Sequence, residues 1–323
     1  MKAIVKGPYG DPAAVLRFLD VPMPVIKDGE VLVRVHSASV HVGDWLVVKG
    51  LPYIARPAFG KVLPKTGIPG TDIAGTVDSV GSGVTQLRPG DEVFGWCTGA
   101  FAEYVCAPEA QFVSKPANIT LGQAAAIGVS ASTALQLLRD QGHVQPGMKV
   151  LINGASGGVG TYAVQVAKAF GAEVTGVCSA KNVEMVRSIG ADYVIDYTKE
   201  DFTQGGPRYD FILDNVGNHS LSETRRALTP AGKLQSNNGT SGGPWFGTSG
   251  TMIKTAAASM FGHQQLGPAI KFQNRADLLV LKELIEAGKV TPVIDSTYPL
   301  AQTGEAIGHV GEGHARGTVV VVM

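Results

Sequence analysis

Over the first 115 or so residues, apolar positions come in short runs cut by glycine and proline. VLVRVHSASV (31–40) begins with apolar–polar alternation and β-branched residues, and TDIAGTVDSVGSGV (71–84) carries two short strand patterns around glycines. Arg88-Pro89-Gly90-Asp91 reads as a turn leading into the strand EVFGW. Short strands separated in this way predict a barrel or partly open sheet. The texture changes near Pro116, where ITLGQAAAIGVSASTALQLL (119–138) reads as mostly helical. Strand and helix patterns then alternate. KVLINGA (149–155) predicts an apolar strand, and GVGTYAVQVAKAFG (158–171) an amphipathic helix stopped by glycine. EVTGVCS (173–179) and NVEMVRSIG (182–190) repeat that pairing, and YVIDY (193–197), FILDNV (211–216) and KLQSNN (233–238) continue the strands. LLVLKELIEAGKV (278–290) predicts a further helix, after which VIDSTYPL (293–300) and GTVVVVM (317–323) return to strand. Such alternation is the signature of a doubly wound parallel sheet. The expected class is α/β, with a parallel nucleotide-binding domain (116–290) inserted between two parts (1–115 and 291–323) of a β-rich domain.

Composition narrows the function classes. The 323 residues carry 27 basic and 27 acidic side chains, a formal net charge of +0. A chain so balanced has no electrostatic excess for holding nucleic acid or an anionic membrane surface. At 44% hydrophobic it is too apolar for disorder, and its 42 glycines lack the three-residue period of collagen. No uncharged apolar run reaches the roughly 18 residues of a membrane span. Cys97, Cys106 and Cys178 are too few and too widely spaced for a disulfide framework or a CxxC knuckle. They read as buried small hydrophobes in a reducing compartment, and the expected location is cytoplasmic.

Candidate chemistry begins between a predicted strand and a predicted helix, at Gly154-Ala155-Ser156-Gly157-Gly158-Val159-Gly160. This contains A-x-G-x-x-G, a variant of the dinucleotide fingerprint. The motif requires a tight turn, a bare backbone at Gly157 for the approaching pyrophosphate, and Gly160 for close helix–strand packing. The helix N-terminus adds N–H donors and a positive dipole end. A glycine cluster also arises in simple tight turns, but here the strand–loop–helix–strand context is complete. An NAD site usually places Asp or Glu at the end of the next strand. Here that end is Cys178-Ser179-Ala180-Lys181-Asn182, and Glu173 lies at the opposite end. A hydroxyl, a lysine and an amide suit a 2′-phosphate, so NADP is expected over NAD. The other reading of Lys181 is a solvated lysine at a helix start.

Several segments together resemble the medium-chain dehydrogenase/reductase superfamily, in particular its zinc-free quinone oxidoreductase branch, which includes zeta-crystallin. They are Ser39-Val40-His41-Val42-Gly43-Asp44-Trp45, Pro69-Gly70-Thr71-Asp72-Ile73-Ala74-Gly75, Arg88-Pro89-Gly90-Asp91-Glu92-Val93, Gly99-Ala100-Phe101-Ala102-Glu103-Tyr104, the Gly154–Gly160 loop and Ile189-Gly190-Ala191-Asp192. The resemblance covers essentially the whole chain. It implies a GroES-like catalytic domain, a Rossmann domain, a cofactor in the cleft between them and a homodimer. Zinc-dependent members bind metal through Cys, His and Cys; those places hold His41, Thr71 and Val129. The four-cysteine structural zinc loop is also missing, since only Cys97 lies between Phe94 and Phe101. Threonine and valine do not complete a tetrahedral zinc site, so no metal is expected. The implied activity is NADPH-dependent reduction of quinones or α,β-unsaturated carbonyls. The partner is then a small apolar conjugated carbonyl or quinone. Enoyl-thioester reduction and non-catalytic NADPH binding are the competing readings.

The resemblance also assigns residues. Tyr53 is a candidate proton donor or else the cap of an exposed loop, and His41 is a donor or orienter or else a hydrogen-bonded cleft residue. Asp44 and Trp45 would position cofactor and shape the pocket, and Asp72 would fix local structure. Cofactor contacts fall on Thr133, on Ser179, Lys181, Asn182 and Tyr197 near the 2′-phosphate, and on Asn215, Val216 and Gly217 near the nicotinamide. Relatives often carry Gly-Lys close to the C-terminus; this chain has Gly317-Thr318 after Arg316, so either Arg316 substitutes or that contact is lost. Trp245, Phe246, Met252, Met260 and Phe261, in the segment 242–262, would line an apolar pocket or form a subunit contact. His263 and His309 have no motif around them and read as surface or loop residues.

Overall fold

A computed structural model describes residues 1–57, 67–206, 208–238, 243–247, 263–269 and 272–323. These form two compact units, one of Met1–Ser132, Gln273–Ala287 and Pro292–Met323, the other of Thr133–Phe272 and Gly288–Thr291.

In the first unit, β1 (Lys2–Lys6) and β2 (Leu16–Asp20) form an antiparallel pair. The main sheet contains β3 (Glu30–Val40), β4 (Asp72–Val80), β5 (Glu92–Trp96), β6 (Tyr104–Pro108), β7 (Phe112–Ser114), β14 (Ile294–Pro299) and β15 (Thr318–Val322). Its order is β14-β15-β3-β4-β5-β7, with β6 also paired to β3. Val33 and Val35 point inward on β3 while Arg34 and His36 stay exposed, which is the alternation of a strand with one buried face. Val33, Val35, Ile73, Val93, Phe101 and Val319 share one core.

Residues 71–84, read as two short strands, form a single one, β4. Gly75 does not interrupt it. A Cβ at Gly75 would overlap the carbonyl oxygen of Arg34, and the register of β3 shifts between Val35 and Ser37 just opposite. The glycine allows a close backbone approach at a bulge. The helical stretch 119–138 is likewise divided, into Leu121–Ala125 and Gly128–Gln136, before a wider turn over Leu137–Gly142. Leu121–Ala125, opened by the Thr120–Gln123 capping box, packs on β3 and β4, and the helix Arg275–Glu286 packs on β7. These contacts carry the first unit past the compositional change at Pro116.

The second unit is a wholly parallel sheet of β8 (Lys149–Asn153), β9 (Glu173–Cys178), β10 (Tyr193–Asp196), β11 (Tyr209–Asp214), β12 (Leu228–Ser236) and β13 (Gln265–Pro268). Its order is β10-β9-β8-β11-β12-β13. The chain winds outward from β8 in one direction, then returns to β11 and winds outward in the other. The switch point between β8 and β11 is where open α/β sheets bind ligands, beyond the strands' carboxyl ends. Val150, Leu151 and Ile152 of β8 are fully buried, and the helix Gly158–Ala169 buries Tyr162, Ala163, Val164, Val166 and Ala167. No helix among the described residues is long and apolar enough to cross a membrane.

Candidate functional site

The glycine loop leaves β8 at its carboxyl end. Gly154 takes φ +77°, and Gly157 is the extended N-cap of the helix Gly158–Ala169. The glycines answer to different constraints. A Cβ at Gly160 would overlap Gly154 O, and one at Gly154 would come 2.8 Å from Val216 Cγ2. A Cβ at Gly157 meets nothing nearer than Gly154 O at 3.6 Å. Local packing therefore explains Gly154 and Gly160 but not Gly157, whose open side fits the approach of a pyrophosphate. Beside it, buried Asn182 donates from Nδ2 to Ser156 Oγ (3.0 Å), and its Oδ1 has no hydrogen-bond partner among the described residues. Ala155 is buried, while Ser156, Gly158 and Val159 are half-buried. These residues fit a dinucleotide.

Ser179, Lys181 and Asn182 follow β9, and Tyr197 follows the adjacent β10, where its N–H donates to Cys178 O (3.1 Å). The four expected phosphate neighbours thus share one edge of the parallel sheet; Lys181 and Tyr197 are exposed. Asn215, Val216 and Gly217 leave β11 beside the glycine loop. Asn215 Nδ2 donates to Asn153 O (3.1 Å), and Asn237 Nδ2 donates to Asn215 Oδ1 (2.8 Å). Asn153, Asp214 and Asn237 were not among the expected site residues. Their one sequence signal is a polar side chain closing an apolar strand. Thr133 is buried on the helix Gly128–Gln136.

The first unit holds a polar cluster at His41, Thr71 and Val129, the positions that the resemblance equates with zinc ligands. His41 ends β3's run as the N-cap of the helix Val42–Lys49. Gly43 N–H donates to His41 Nδ1 (3.1 Å), so the proton of the neutral ring lies on Nε2. Nε2 then donates to Thr71 Oγ1 (2.8 Å), and Thr71 Oγ1 donates to Asp72 Oδ1 (3.3 Å). Asp72 Oδ2 accepts from Ser39 Oγ (3.2 Å) and Val129 N (2.7 Å). Gly128 is required there, since a Cβ would overlap the Asp72 carboxyl. Burial pushes Asp72 up to about 6 and Asp44 up to about 7, opposed for Asp44 by the His41 N–H donating to its Oδ2 (2.9 Å).

His41, Thr71 and Val129 offer one imidazole, one hydroxyl and a backbone N–H already engaged. This set does not fit a tetrahedral zinc site. Among the described residues no group of three or more His, Cys, Asp or Glu side chains is placed to hold a metal ion. Cys97 is buried, and desolvation raises its thiol pKa.

Tyr53 opens the turn Tyr53–Ala55 after that helix, and Arg56 lies over its ring at 4.4 Å. Trp45, expected to shape a pocket, is partly buried and packs against the first unit's core and Gly311, where a Cβ would overlap the indole. Trp245 and Phe246 lie on the short turn Gly243–Phe246 and are mostly exposed; Met252, Met260 and Phe261 lie outside the described residues. Arg316 is exposed, with its backbone N–H donating to Asp295 Oδ1 (2.8 Å), and Thr318 is buried with its hydroxyl unpartnered among the described residues. His263 is exposed. His309 is not a bare surface histidine: it sits on the helix Thr303–Gly311, with Nε2 2.9 Å from Asp295 Oδ2.

Residues 27–117 match the alcohol dehydrogenase GroES-like domain, and residues 189–321 match the domain described as zinc-binding dehydrogenase. The chain is 34% identical to a chloroplast envelope quinone oxidoreductase homolog of Arabidopsis thaliana, covering 99% of this chain and 98% of the relative. An NADPH-dependent alkenal/one oxidoreductase of the same plant is 31% identical over 99% of this chain and 79% of its own. The quinone oxidoreductase from Coxiella burnetii superposes with a TM-score of 0.88 at 30% identity, covering 100% of this chain and 99% of that one. Full-length similarity, the GroES-like match and the switch-point glycine loop agree: the chain belongs to the quinone oxidoreductase-like branch of the medium-chain dehydrogenase/reductase superfamily, a family of NAD(P)H-dependent oxidoreductases.

Proposed function

We propose that the protein is an NADPH-dependent, zinc-independent reductase of quinones and α,β-unsaturated carbonyls. The observation that carries this reading is the His41–Thr71–Asp72 chain at the positions where relatives hold catalytic metal. Without a Lewis acid, an isolated ketone lacks stabilisation for the charge that develops on its oxygen. A conjugated carbonyl or quinone spreads that charge itself and needs only positioning and hydrogen-bond donors. When bound, the reduced nicotinamide supplies the hydride, which adds to the β-carbon of an enone or to the quinone. The electron pair moves onto oxygen, and a proton completes the reduction. Tyr53 supplies a donor for that oxygen, and the Thr71 hydroxyl, held in place by His41 Nε2, supplies a second by turning its proton from Asp72 Oδ1 toward the substrate. In the second unit, the Gly154–Gly160 loop takes the pyrophosphate, and Ser179, Lys181 and Asn182 favour a 2′-phosphate because no carboxylate ends β9. The quinone and alkenal reductases among the relatives support both substrate classes.

NADPH oxidation with a panel of quinones, 2-alkenals and cyclic enones tests the reading, alongside metal analysis of the active protein. Turnover of at least one class in metal-free protein is expected. Tight NADPH binding without oxidation by any of them would overturn the reductase reading, and stoichiometric zinc required for turnover would overturn zinc independence. Lys181→Ala should raise KM for NADPH several-fold and leave that for NADH nearly unchanged; equal effects on both would remove the phosphate role.

A further inference from the structure

Asp214 closes β11 and is almost fully buried, with no ion pair to a basic side chain among the described residues. Burying a carboxylate is costly unless donors surround it. Here Oδ1 alone accepts three: Asn153 Nδ2 at 2.8 Å, Gly217 N at 2.9 Å and Val216 N at 3.1 Å. Two of the three are backbone amides of the loop that leaves β11. The carbonyl of Asp214 also accepts from Asn237 N (2.8 Å).

Asn153 extends this frame to the neighbouring strand. Its Nδ2 donates to Asn218 Oδ1 (2.9 Å) as well as to Asp214, and its carbonyl accepts both Asn215 N (3.2 Å) and Asn215 Nδ2 (3.1 Å). Asn153 immediately precedes Gly154, so the same residue fixes the start of the glycine loop. The loop has little slack at its far side. Gly217 takes φ +73°, and a Cβ there would overlap Asn238 Nδ2. By contrast, Ser179, Lys181, Asn182 and Tyr197 leave β9 and β10, and no hydrogen bond of Asp214 reaches them.

We infer that Asp214, together with Asn153, is a positioning residue for the nicotinamide half of the cofactor, acting through the backbone of Asn215–Gly217. This rests on the NADP-binding reading above. It goes beyond that reading by dividing the cofactor site into a half that the buried carboxylate braces directly and a half that none of its hydrogen bonds reaches.

Calorimetric titration with NADPH and with 2′,5′-ADP, which carries the adenosine half alone, separates the two halves without requiring turnover. Asp214→Ala should weaken NADPH binding by roughly 10- to 100-fold, the range for lost hydrogen bonds to a charged group. Its affinity for 2′,5′-ADP should stay within about twofold of the unsubstituted protein. Asp214→Asn, which keeps an acceptor oxygen for the two amides, should fall between them and serves where the alanine variant does not fold. Equal weakening of both ligands would reduce Asp214 to a structural role and overturn the inference, as would unchanged NADPH affinity. Unsubstituted protein that binds NADPH but reduces no quinone or enone would sink the proposed activity and leave this test intact.

Discussion

The imidazole of His41 donates from Nε2 to the hydroxyl of Thr71 across 2.8 Å, although the two residues are 30 positions apart. The bond makes Thr71 the link between a mostly buried ring and the fully buried Asp72 carboxylate. Thr71→Val keeps the shape of the side chain and removes the link. A buried carboxylate then loses one of its donors, and a stability loss of about 1–3 kcal/mol is expected, seen as a lower urea midpoint at unchanged slope. Quinone turnover should fall by about tenfold or more if the pair serves the developing charge, with NADPH affinity unaltered. Full turnover in a correctly folded variant would remove the pair from the chemistry.

Asp44 and Asp72 set a pH dependence of stability whose sign follows from burial. Burial raises Asp44 from 3.8 to about 7, so between those values the folded state holds a proton that the unfolded state has released. Stability therefore falls as pH rises through this window and reaches its lower plateau above it. Asp72, raised to about 6, acts in the same direction. Asp201, lowered to about 2, acts oppositely but only in more acidic solution. Asp44→Asn keeps an acceptor for the His41 N–H and removes the titration. Relative to the unsubstituted protein, the variant should gain on the order of 1–4 kcal/mol at pH 8 and little at pH 4. Urea denaturation at the two pH values decides this, and an equal difference at both would refute the assignment.

Much of the second unit is legible because its signals are local. The glycine loop, the buried run of β8 and the periodicity of Gly158–Ala169 each lie within a dozen consecutive residues or fewer. The Asp214–Asn153 bond is not legible in this way. It joins residues 61 positions apart, and only the parallel pairing of β8 with β11 brings Asp214 beside Asn153. Gly75 misleads for a related reason: glycine punctuates strands in general, but here it faces a bulge that belongs to β3. The packing of Trp45 is not legible either, because its place in a motif says nothing of Gly311, the distant glycine whose missing side chain makes room for the indole.

Tyr53 depends on a stack that motif matching does not show. The Arg56 guanidinium lies 4.4 Å from the Tyr53 ring centre and 4.9 Å from that of Tyr9, while its Nε donates to Gly50 O (3.0 Å). Tyr53→Phe retains the stack and removes the hydroxyl. If Tyr53 donates the proton, its kcat should fall at least tenfold with KM for NADPH unchanged. Arg56→Met keeps an apolar stem and loses the cation, so it should lower both kcat and stability, the latter by about 0.5–1 kcal/mol. A Tyr53→Phe variant with full kcat would return Tyr53 to the role of a loop cap.

Gly157 and Gly160 allow packing to be separated from binding. At Gly160 an added Cβ runs into Gly154 O and Ala155, inside the turn itself, where only backbone could yield. Overpacking of that kind typically costs about 1–3 kcal/mol, and Gly160→Ala should show it as a lower melting temperature even without cofactor. Gly157 has a φ of −83°, which alanine adopts readily, and the nearest atom to its Cβ is 3.6 Å away. Gly157→Ala should therefore fold with near-normal stability. Its added methyl would occupy the open side expected to receive the pyrophosphate, so NADPH affinity should drop by tenfold or more while the melting temperature without ligand stays within a degree or two. Should Gly157→Ala bind NADPH normally, the phosphates do not approach the loop at Gly157, and the bare backbone there has some other cause.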